Sequence, residues 1–194
     1  MELALLAVAS YLYGAIPFAY LAIRASTGKS ILDEGTGNVG VINSYRVGGV
    51  TAVVATLLGE FSKALVALTL AELIFPHELP PKLVLAFAAF LGTNFSVYLR
   101  GRGGRGTTLF MVGAALLSPL SFLLMLILCG VFFGLSRRAV WLKSLWFWFI
   151  SPVFLLVERD WALAIFGLLV TLVIFLHGLR SEDDLVHHGY VTRK

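Results

Sequence analysis

The chain has 194 residues, of which 59% are hydrophobic and only 13% are charged, and its mean hydropathy is +0.91. This composition is too apolar for an ordinary soluble domain and indicates an integral membrane protein. The net charge of +4 does not indicate a nucleic-acid partner, because the basic residues stand in short loops beside apolar runs, where they report membrane orientation and anionic ligands.

Apolar runs long enough to cross a bilayer, about 20 residues each, recur along the chain. The sequence predicts seven membrane helices, at 2–24, 50–74, 80–99, 107–118, 119–135, 139–157 and 160–179. The run from 107 to 135 is divided at Ser118-Pro119, where the chain is expected to turn back. Fusing the weaker segments into five crossings would give the same sidedness. We therefore predict a single all-α membrane domain over residues 1–194.

The basic residues predict how this domain is oriented. With the N-terminus outside and the C-terminus in the cytoplasm, 12 of the 15 basic residues fall in cytoplasmic segments, as the positive-inside rule requires. These residues are Arg24, Lys29, Arg46, Arg100, Arg102, Arg105, Arg137, Arg138, Lys143, Arg180, Arg193 and Lys194.

Two glycine-rich segments, "EGTGNVGVINSYRVGG" and "RGRGGRG", share the cytoplasmic face in this topology. Glycines allow successive N–H groups to converge on an anion, and arginine offers a planar fork to phosphate oxygens. A helix beginning at Thr107 would add its N-terminal N–H groups. We expect the two segments to meet and to hold a phosphate or carboxylate. The alternative is that Gly and Arg serve only the turning and orientation of short inner loops.

Polar side chains also occur inside the predicted helices. Glu60 and Lys63 are three residues apart, so they share a helix face and can pair; either a structural ion pair or a role in a site would explain them. Thr93, Asn94 and Ser96 precede the basic loop and either pack helices or line a site. The single cysteine, Cys129, excludes an internal disulfide, and no motif implies a metal or an organic cofactor.

Several motifs resemble those of the bacterial acyl-phosphate:glycerol-3-phosphate acyltransferase family over nearly the whole chain. The segment "YLYGAIPFAYLAIR" resembles the family's opening Y-L-x-G-S-I-P-F helix, and "GTGNVGVIN" resembles its G-S-G-N-x-G-A-T-N motif. The segment "GEFSKA" resembles its D-x-x-K-G. The segment "GTNFSVYLRGRGGRGTT" aligns without gaps on G-H-x-x-P-x-x-x-x-F-K-G-G-K-G-V-A.

The resemblance implies an enzyme of the bacterial plasma membrane that acylates glycerol 3-phosphate from acyl phosphate, giving lysophosphatidic acid and phosphate. It implies a site on the cytoplasmic face and, as partners, membrane lipid and other phospholipid-synthesis enzymes. By the same resemblance the catalytic residues are Arg102, Arg105, Lys63 and Asn43, and the substrate-binding residues are Thr36, Gly37, Asn38, Gly40, Thr93, Gly103, Gly104, Gly106 and Arg180.

Acyl phosphate is an activated donor, so the protein needs mainly to orient the acceptor hydroxyl and to stabilise developing charge. We expect a substrate phosphate oxygen to take the hydroxyl proton. The family's serine, arginine and histidine are Ala15, Leu32 and Thr93 in this chain. These departures leave open a non-catalytic or altered-acceptor relative that keeps the phosphate cradle to bind an anionic lipid or a partner. A transporter is a third reading, but no inverted repeat is evident.

Overall fold

The computed structural model describes residues 1–135 and 149–178, and every regular element in those ranges is helical. The elements are α1 (Glu2–Gly14), α2 (Phe18–Thr27), α3 (Val41–Ile74), α4 (Leu79–Asn94), a 3-10 turn (Val97–Leu99), α5 (Thr107–Leu117), α6 (Pro119–Leu135), α7 (Ile150–Glu158) and α8 (Trp161–Gly178). The predicted all-α membrane fold class is confirmed.

Within residues 1–135 and 149–178, four helical segments are long and apolar enough to cross a membrane: Glu2–Thr27, Val41–Ile74, Leu79–Leu99 and Trp161–Gly178. Two shorter apolar helices, Thr107–Leu117 and Pro119–Val131, lie between them in the chain. The run from 107 to 135 is divided into two helices, as predicted from Ser118-Pro119. The count of seven crossings and the orientation of the termini stay predictions, and residues 139–148 of the sixth predicted helix lie outside the described residues.

The predicted helix 2–24 is wrong as a continuous element, because it is broken between Gly14 and Phe18. Pro17 lacks a backbone N–H, and its ring disfavours helical geometry at Ile16, so the chain leaves the helix and re-enters it at α2. A helix does start at residue 50, as predicted, but a shorter helical stretch precedes it. α3 begins at Val41 and bends at Gly49, where φ is +69°.

The described residues form two compact units, Met1–Gly113 and the part of the chain from Ala114 onward. In the first unit, α1 and α4 approach so closely that their backbones touch through glycines. A Cβ on Gly14 would overlap the Ala89 carbonyl, and a Cβ on Gly92 would overlap the Tyr11 carbonyl. Small residues allow this spacing in membrane helix pairs.

The loop after α2 is anchored by a small apolar cluster. Ile31 and Val39 from the loop pack with Ala19 and Ile23 of α2 and with Ala52 of α3, and all five side chains are buried. The chain between α2 and α3 is thereby held against the helices at both ends. This anchoring fixes the position of the first glycine segment.

Hydroxyl groups join the helices of the second unit. Ser118 and Ser121, at the start of α6, both donate hydrogen bonds to the carboxylate of Glu158 at the end of α7. The Ser118 Oγ also accepts the N–H of Ser121 at 3.3 Å, which caps α6. Ser151 Oγ of α7 donates to the carbonyl of Ala164 in α8 at 2.6 Å.

The close α1–α4 contact predicts that Gly92→Ala is destabilising. The added Cβ would overlap the Tyr11 carbonyl and lie 2.7 Å from the backbone nitrogen of Ala15, and neither backbone atom can move away alone. We expect the free energy of unfolding to fall by about 1–3 kcal/mol. The measurement is the melting temperature of the detergent-solubilised protein.

Gly130→Ala is the matched control, because a Cβ at Gly130 of α6 meets nothing within 4 Å. Its melting temperature should stay the same or rise, since alanine favours helix more than glycine does. Equal melting temperatures for the two variants would contradict the close packing of α1 on α4.

Candidate functional site

The first glycine segment folds around the side chain of Asn43. This residue is fully buried, and its Nδ2 donates to the carbonyls of Glu34 and Asn38, both at 3.1 Å. Its Oδ1 accepts the backbone N–H of Thr36 at 3.3 Å. The amide is therefore occupied by the loop itself, and Asn43 braces the loop from the first turn of α3.

The other predicted residues of this segment form the tight turn that Asn43 holds. The Thr36 Oγ1 accepts the backbone N–H of Asn38 at 3.3 Å. Gly37 has φ of +69°, a conformation that residues with a side chain rarely adopt, and a Cβ there would lie 2.9 Å from the Leu32 carbonyl. Gly40 follows in extended geometry and precedes α3. These residues form one rigid backbone loop.

The second glycine segment packs directly on the first. The N–H of Gly104 donates to the Thr93 carbonyl at 3.0 Å, and a Cβ on Gly104 would overlap the carbonyl of Val39. A Cβ on Gly103 would overlap the carbonyls at the end of α4. Gly106, with φ of +67°, leads into α5. The two segments therefore meet, and glycine is required at the points of contact.

The arginines of the second segment differ in exposure. Arg102 is exposed to solvent, whereas Arg105 is half-buried. Both flank the glycine pair Gly103-Gly104, of which Gly104 contacts the first segment at Val39. The segment therefore brings positive charge to the place where the two backbone loops meet.

A buried ion pair lies behind these loops. Lys63 of α3 is only 1% exposed, and its Nζ lies 2.6 Å from Oε1 of Glu60. The same ammonium donates to the Thr93 Oγ1 at 3.2 Å and lies 5.4 Å from the centre of the Phe18 ring. Side chains of α2, α3 and α4 therefore fix the position of the Lys63 ammonium.

Thr93 connects the Glu60–Lys63 ion pair to the break between α1 and α2. Its hydroxyl is 3.0 Å from the Gly14 carbonyl and 3.2 Å from the Ala89 carbonyl, and it donates its one proton to this pair of acceptors. Ser96 donates to the next carbonyl of the break, that of Ala15, at 2.6 Å. The sequence favoured a packing role for Ser96, and in the structure its hydroxyl bonds the Ala15 carbonyl while the residue also lines the cavity described next.

A small cavity in the first unit lies between the ion pair, the break and the second glycine segment. It is lined by Ala15, Ile16, Pro17, Val39, Glu60, Lys63, Thr93, Ser96, Gly103 and Gly104. Four predicted site residues therefore line a common cavity: Lys63, Thr93, Gly103 and Gly104. The predicted residues Thr36, Gly37, Asn38, Gly40, Asn43, Arg102, Arg105 and Gly106 stand in the two loops around it, and Arg180 lies outside the described residues.

The site prediction missed the other lining residues, which are the break at residues 15–17, Val39, Glu60 and Ser96. Pro17 within an apolar run was a sufficient signal for the break. Glu60 was recognised as a partner of Lys63, but the spacing of two residues on one helix does not reveal what else their face meets.

Comparisons with known proteins show the family of this chain. The family model described as glycerol-3-phosphate acyltransferase matches residues 4–183. The chain belongs to this family. The glycerol-3-phosphate acyltransferase of Syntrophomonas wolfei is 30% identical over 188 residues, which cover 95% of this chain and 94% of the relative. The enzyme of the same name from Exiguobacterium sibiricum is 34% identical over 186 residues, covering 94% and 88%.

A solved structure shares the fold of this acyltransferase-family chain. The crystal structure of PlsY (YgiH), an integral membrane glycerol 3-phosphate acyltransferase in its glycerol 3-phosphate form, aligns with a TM-score of 0.82. The alignment covers 100% of this chain and 96% of that chain, at 18% sequence identity. The likeness at this identity concerns the fold.

The bracing of the first loop predicts that Asn43→Ala opens it. The substitution removes three hydrogen bonds between the Asn43 amide and the backbone of its loop, each worth about 0.5–1.5 kcal/mol. We expect a lower melting temperature and faster cleavage after Glu34 by a glutamate-specific protease, because the loop is no longer held against α3.

Ser44→Ala is the matched control for Asn43→Ala. Ser44 is also fully buried, and its hydroxyl donates to the Gly40 carbonyl at 2.9 Å, but that carbonyl keeps the backbone N–H of Ser44 as a partner. Cleavage after Glu34 should stay at the wild-type rate. If Asn43→Ala is cleaved no faster than Ser44→Ala, Asn43 does not brace the loop.

Proposed function

We propose that this chain transfers an acyl group from acyl phosphate to a hydroxyl of glycerol 3-phosphate, releasing lysophosphatidic acid and inorganic phosphate. Membership of the glycerol-3-phosphate acyltransferase family supports the acceptor and the class of reaction. The one observation that carries the proposal is the contact of two glycine loops beside a cavity lined by Lys63. The reaction joins two phosphate-bearing substrates, so it needs two anion-binding loops that hold them close enough to react.

The charges around the cavity suit phosphate. Arg102 and Arg105 carry planar guanidinium groups that can bind phosphate oxygens in pairs, and Lys63 supplies a point charge inside the cavity. In the proposed arrangement the second glycine segment and its arginines hold the donor phosphate. Lys63, together with Arg180 from beyond the described residues, holds the acceptor.

The proposed reaction needs no nucleophile from the protein. The acceptor hydroxyl attacks the acyl carbon, and the bond between that carbon and the phosphate oxygen breaks. The phosphate leaves with the bonding electrons, and one of its oxygens takes the hydroxyl proton. The protein lowers the barrier by holding both substrates and by placing positive charge where negative charge develops. Thr36, Gly37, Asn38, Gly40 and Asn43 contribute by keeping the first cradle rigid.

The proposal includes the setting of the reaction. Residues 1–194 form one acyltransferase domain in the bacterial plasma membrane, with seven crossings, the N-terminus outside and the site on the cytoplasmic face. The partners are membrane lipid, which dissolves the acyl chains, and the enzymes of phospholipid synthesis that consume the product.

The first test is release of inorganic phosphate from a long-chain acyl phosphate by purified protein, with and without glycerol 3-phosphate, followed by lipid analysis. Release that depends on the acceptor and yields lysophosphatidic acid supports the proposal. Without such release from folded protein, the remaining reading is a relative that keeps the cradle for binding, since Ala15 and Thr93 replace a serine and a histidine of the family pattern.

Arg105→Ala should lower kcat/KM for acyl phosphate by about tenfold to a hundredfold, because hydrogen bonds to a charged group contribute about 1.5–3 kcal/mol. Arg105→Lys should recover part of the loss, since it keeps the charge but not the fork. The matched control is Arg159→Ala, an exposed arginine between α7 and α8, which should stay within about twofold of wild type. Unchanged turnover in folded Arg105→Ala would overturn the role of this arginine.

The orientation can be tested with single cysteines in a Cys129→Ser background. Lys29→Cys marks the loop after α2, and Glu78→Cys marks the turn between α3 and α4; both positions are exposed. In intact spheroplasts, a membrane-impermeant maleimide should label the cysteine at 78, whereas the cysteine at 29 should react only after permeabilisation. The reverse pattern would contradict the proposed sidedness.

A further inference from the structure

Glu60 presents an unused hydrogen-bond acceptor to the cavity. Its carboxylate is buried, with 6% of the residue exposed, and it lines the cavity together with Lys63. Oε1 accepts a hydrogen bond from Lys63 at 2.6 Å. Within the described residues, no other group bonds this carboxylate. A carboxylate offers about four lone-pair sites, so most of its accepting capacity remains available.

The carboxylate also gives the cavity two chemically different sides. The second glycine segment brings Arg102 and Arg105, whereas Glu60 on α3 is the acidic side chain among the residues that line the cavity. The arginine side attracts the donor phosphate of the proposed arrangement, whereas Glu60 repels a phosphate dianion and can accept hydrogen bonds from neutral hydroxyls. A ligand with phosphate at one end and neutral hydroxyls at the other is therefore bound in one direction only.

We infer that Glu60 accepts a hydrogen bond from the middle hydroxyl of the acceptor, and thereby selects a phosphorylated diol and aims its reactive hydroxyl at the donor. The inference rests on the proposed function, in which glycerol 3-phosphate is the acceptor. Hydroxyl groups that donate to a carboxylate make charge-assisted hydrogen bonds, which are stronger than neutral ones. Lys63 compensates the charge of Glu60 and leaves its second oxygen, Oε2, for the diol.

The test compares two acceptors in the same protein. One is glycerol 3-phosphate, and the other is 3-hydroxypropyl phosphate, which keeps the phosphate and the reactive hydroxyl but lacks the middle hydroxyl. We expect wild type to prefer glycerol 3-phosphate in kcat/KM, and Glu60→Gln to reduce that preference by about tenfold or more. A residue that only stabilises the fold would lower the values for both acceptors equally and leave their ratio unchanged.

Two further variants test whether the preference depends on a carboxylate at position 60 or on the loss of any carboxylate from α3. Glu60→Asp keeps a carboxylate beside Lys63 and should restore much of the preference. Glu72→Gln removes a carboxylate elsewhere on α3, one that pairs with Lys82 and does not line the cavity, and should leave the preference at the wild-type value.

A buried lysine without its partner destabilises a protein, so Glu60→Gln alone is expected to be less stable than wild type. The double variant Glu60→Gln/Lys63→Gln removes both charges, and the preference within that protein is read in the same way. A preference equal to that of wild type, in either folded variant, overturns the assignment of Glu60 to the diol.

Calorimetric binding of the two acceptors keeps this inference distinct from the proposed function. If wild type binds glycerol 3-phosphate more tightly than 3-hydroxypropyl phosphate and Glu60→Gln loses the difference, Glu60 binds the diol whether or not acyl transfer occurs. If wild type transfers acyl groups but Glu60→Gln keeps both the binding difference and the kinetic preference, the proposed function stands and the inference about Glu60 fails.

Discussion

The arrangement of the first unit depends on two backbone carbonyls at the break between α1 and α2. The carbonyls of Gly14 and Ala15 accept hydrogen bonds from Thr93 and Ser96 on the neighbouring chain segment. Inside a membrane an unsatisfied carbonyl costs several kcal/mol, so a broken helix persists there only where protein groups take over its hydrogen bonds. The same Thr93 hydroxyl accepts a hydrogen bond from the Lys63 ammonium. The hydroxyl that bonds the carbonyl at the break therefore also holds the Lys63 ammonium in place.

The buried pair of Glu60 and Lys63 contributes less to stability than its geometry suggests. Removing two charges from water costs more than their attraction usually returns, and two well-packed apolar residues would fill the same space at no loss of stability. An ion pair that stays beside a cavity, with part of its carboxylate unbonded, is better explained by a ligand than by folding. Its position between the break and the second glycine segment agrees with that explanation.

The sequence predicted the fold class and the division at Ser118-Pro119 because long apolar runs and a proline are strong local signals. It also predicted that the two glycine segments meet, since both fall on one face of the predicted topology. It missed the helical stretch that precedes the kink at Gly49, because the residues from Val41 to Gly48 are not part of a continuous apolar run. The role of Asn43 was not readable either, since only the folded loop shows which carbonyls its amide reaches.

The geometry separates the predicted site residues into those that build cradles and those that carry charge. Asn43 and the glycines act through the backbone: no side chain fits where Gly104 meets Val39, and the Asn43 amide is consumed within its own loop. Lys63, Arg102 and Arg105 supply the charge. A cradle made of backbone N–H groups depends on the path of the chain more than on any one side chain. In the proposed function, the arginines in place of the family's lysines keep the charge but bind phosphate oxygens through a planar fork instead of a point charge.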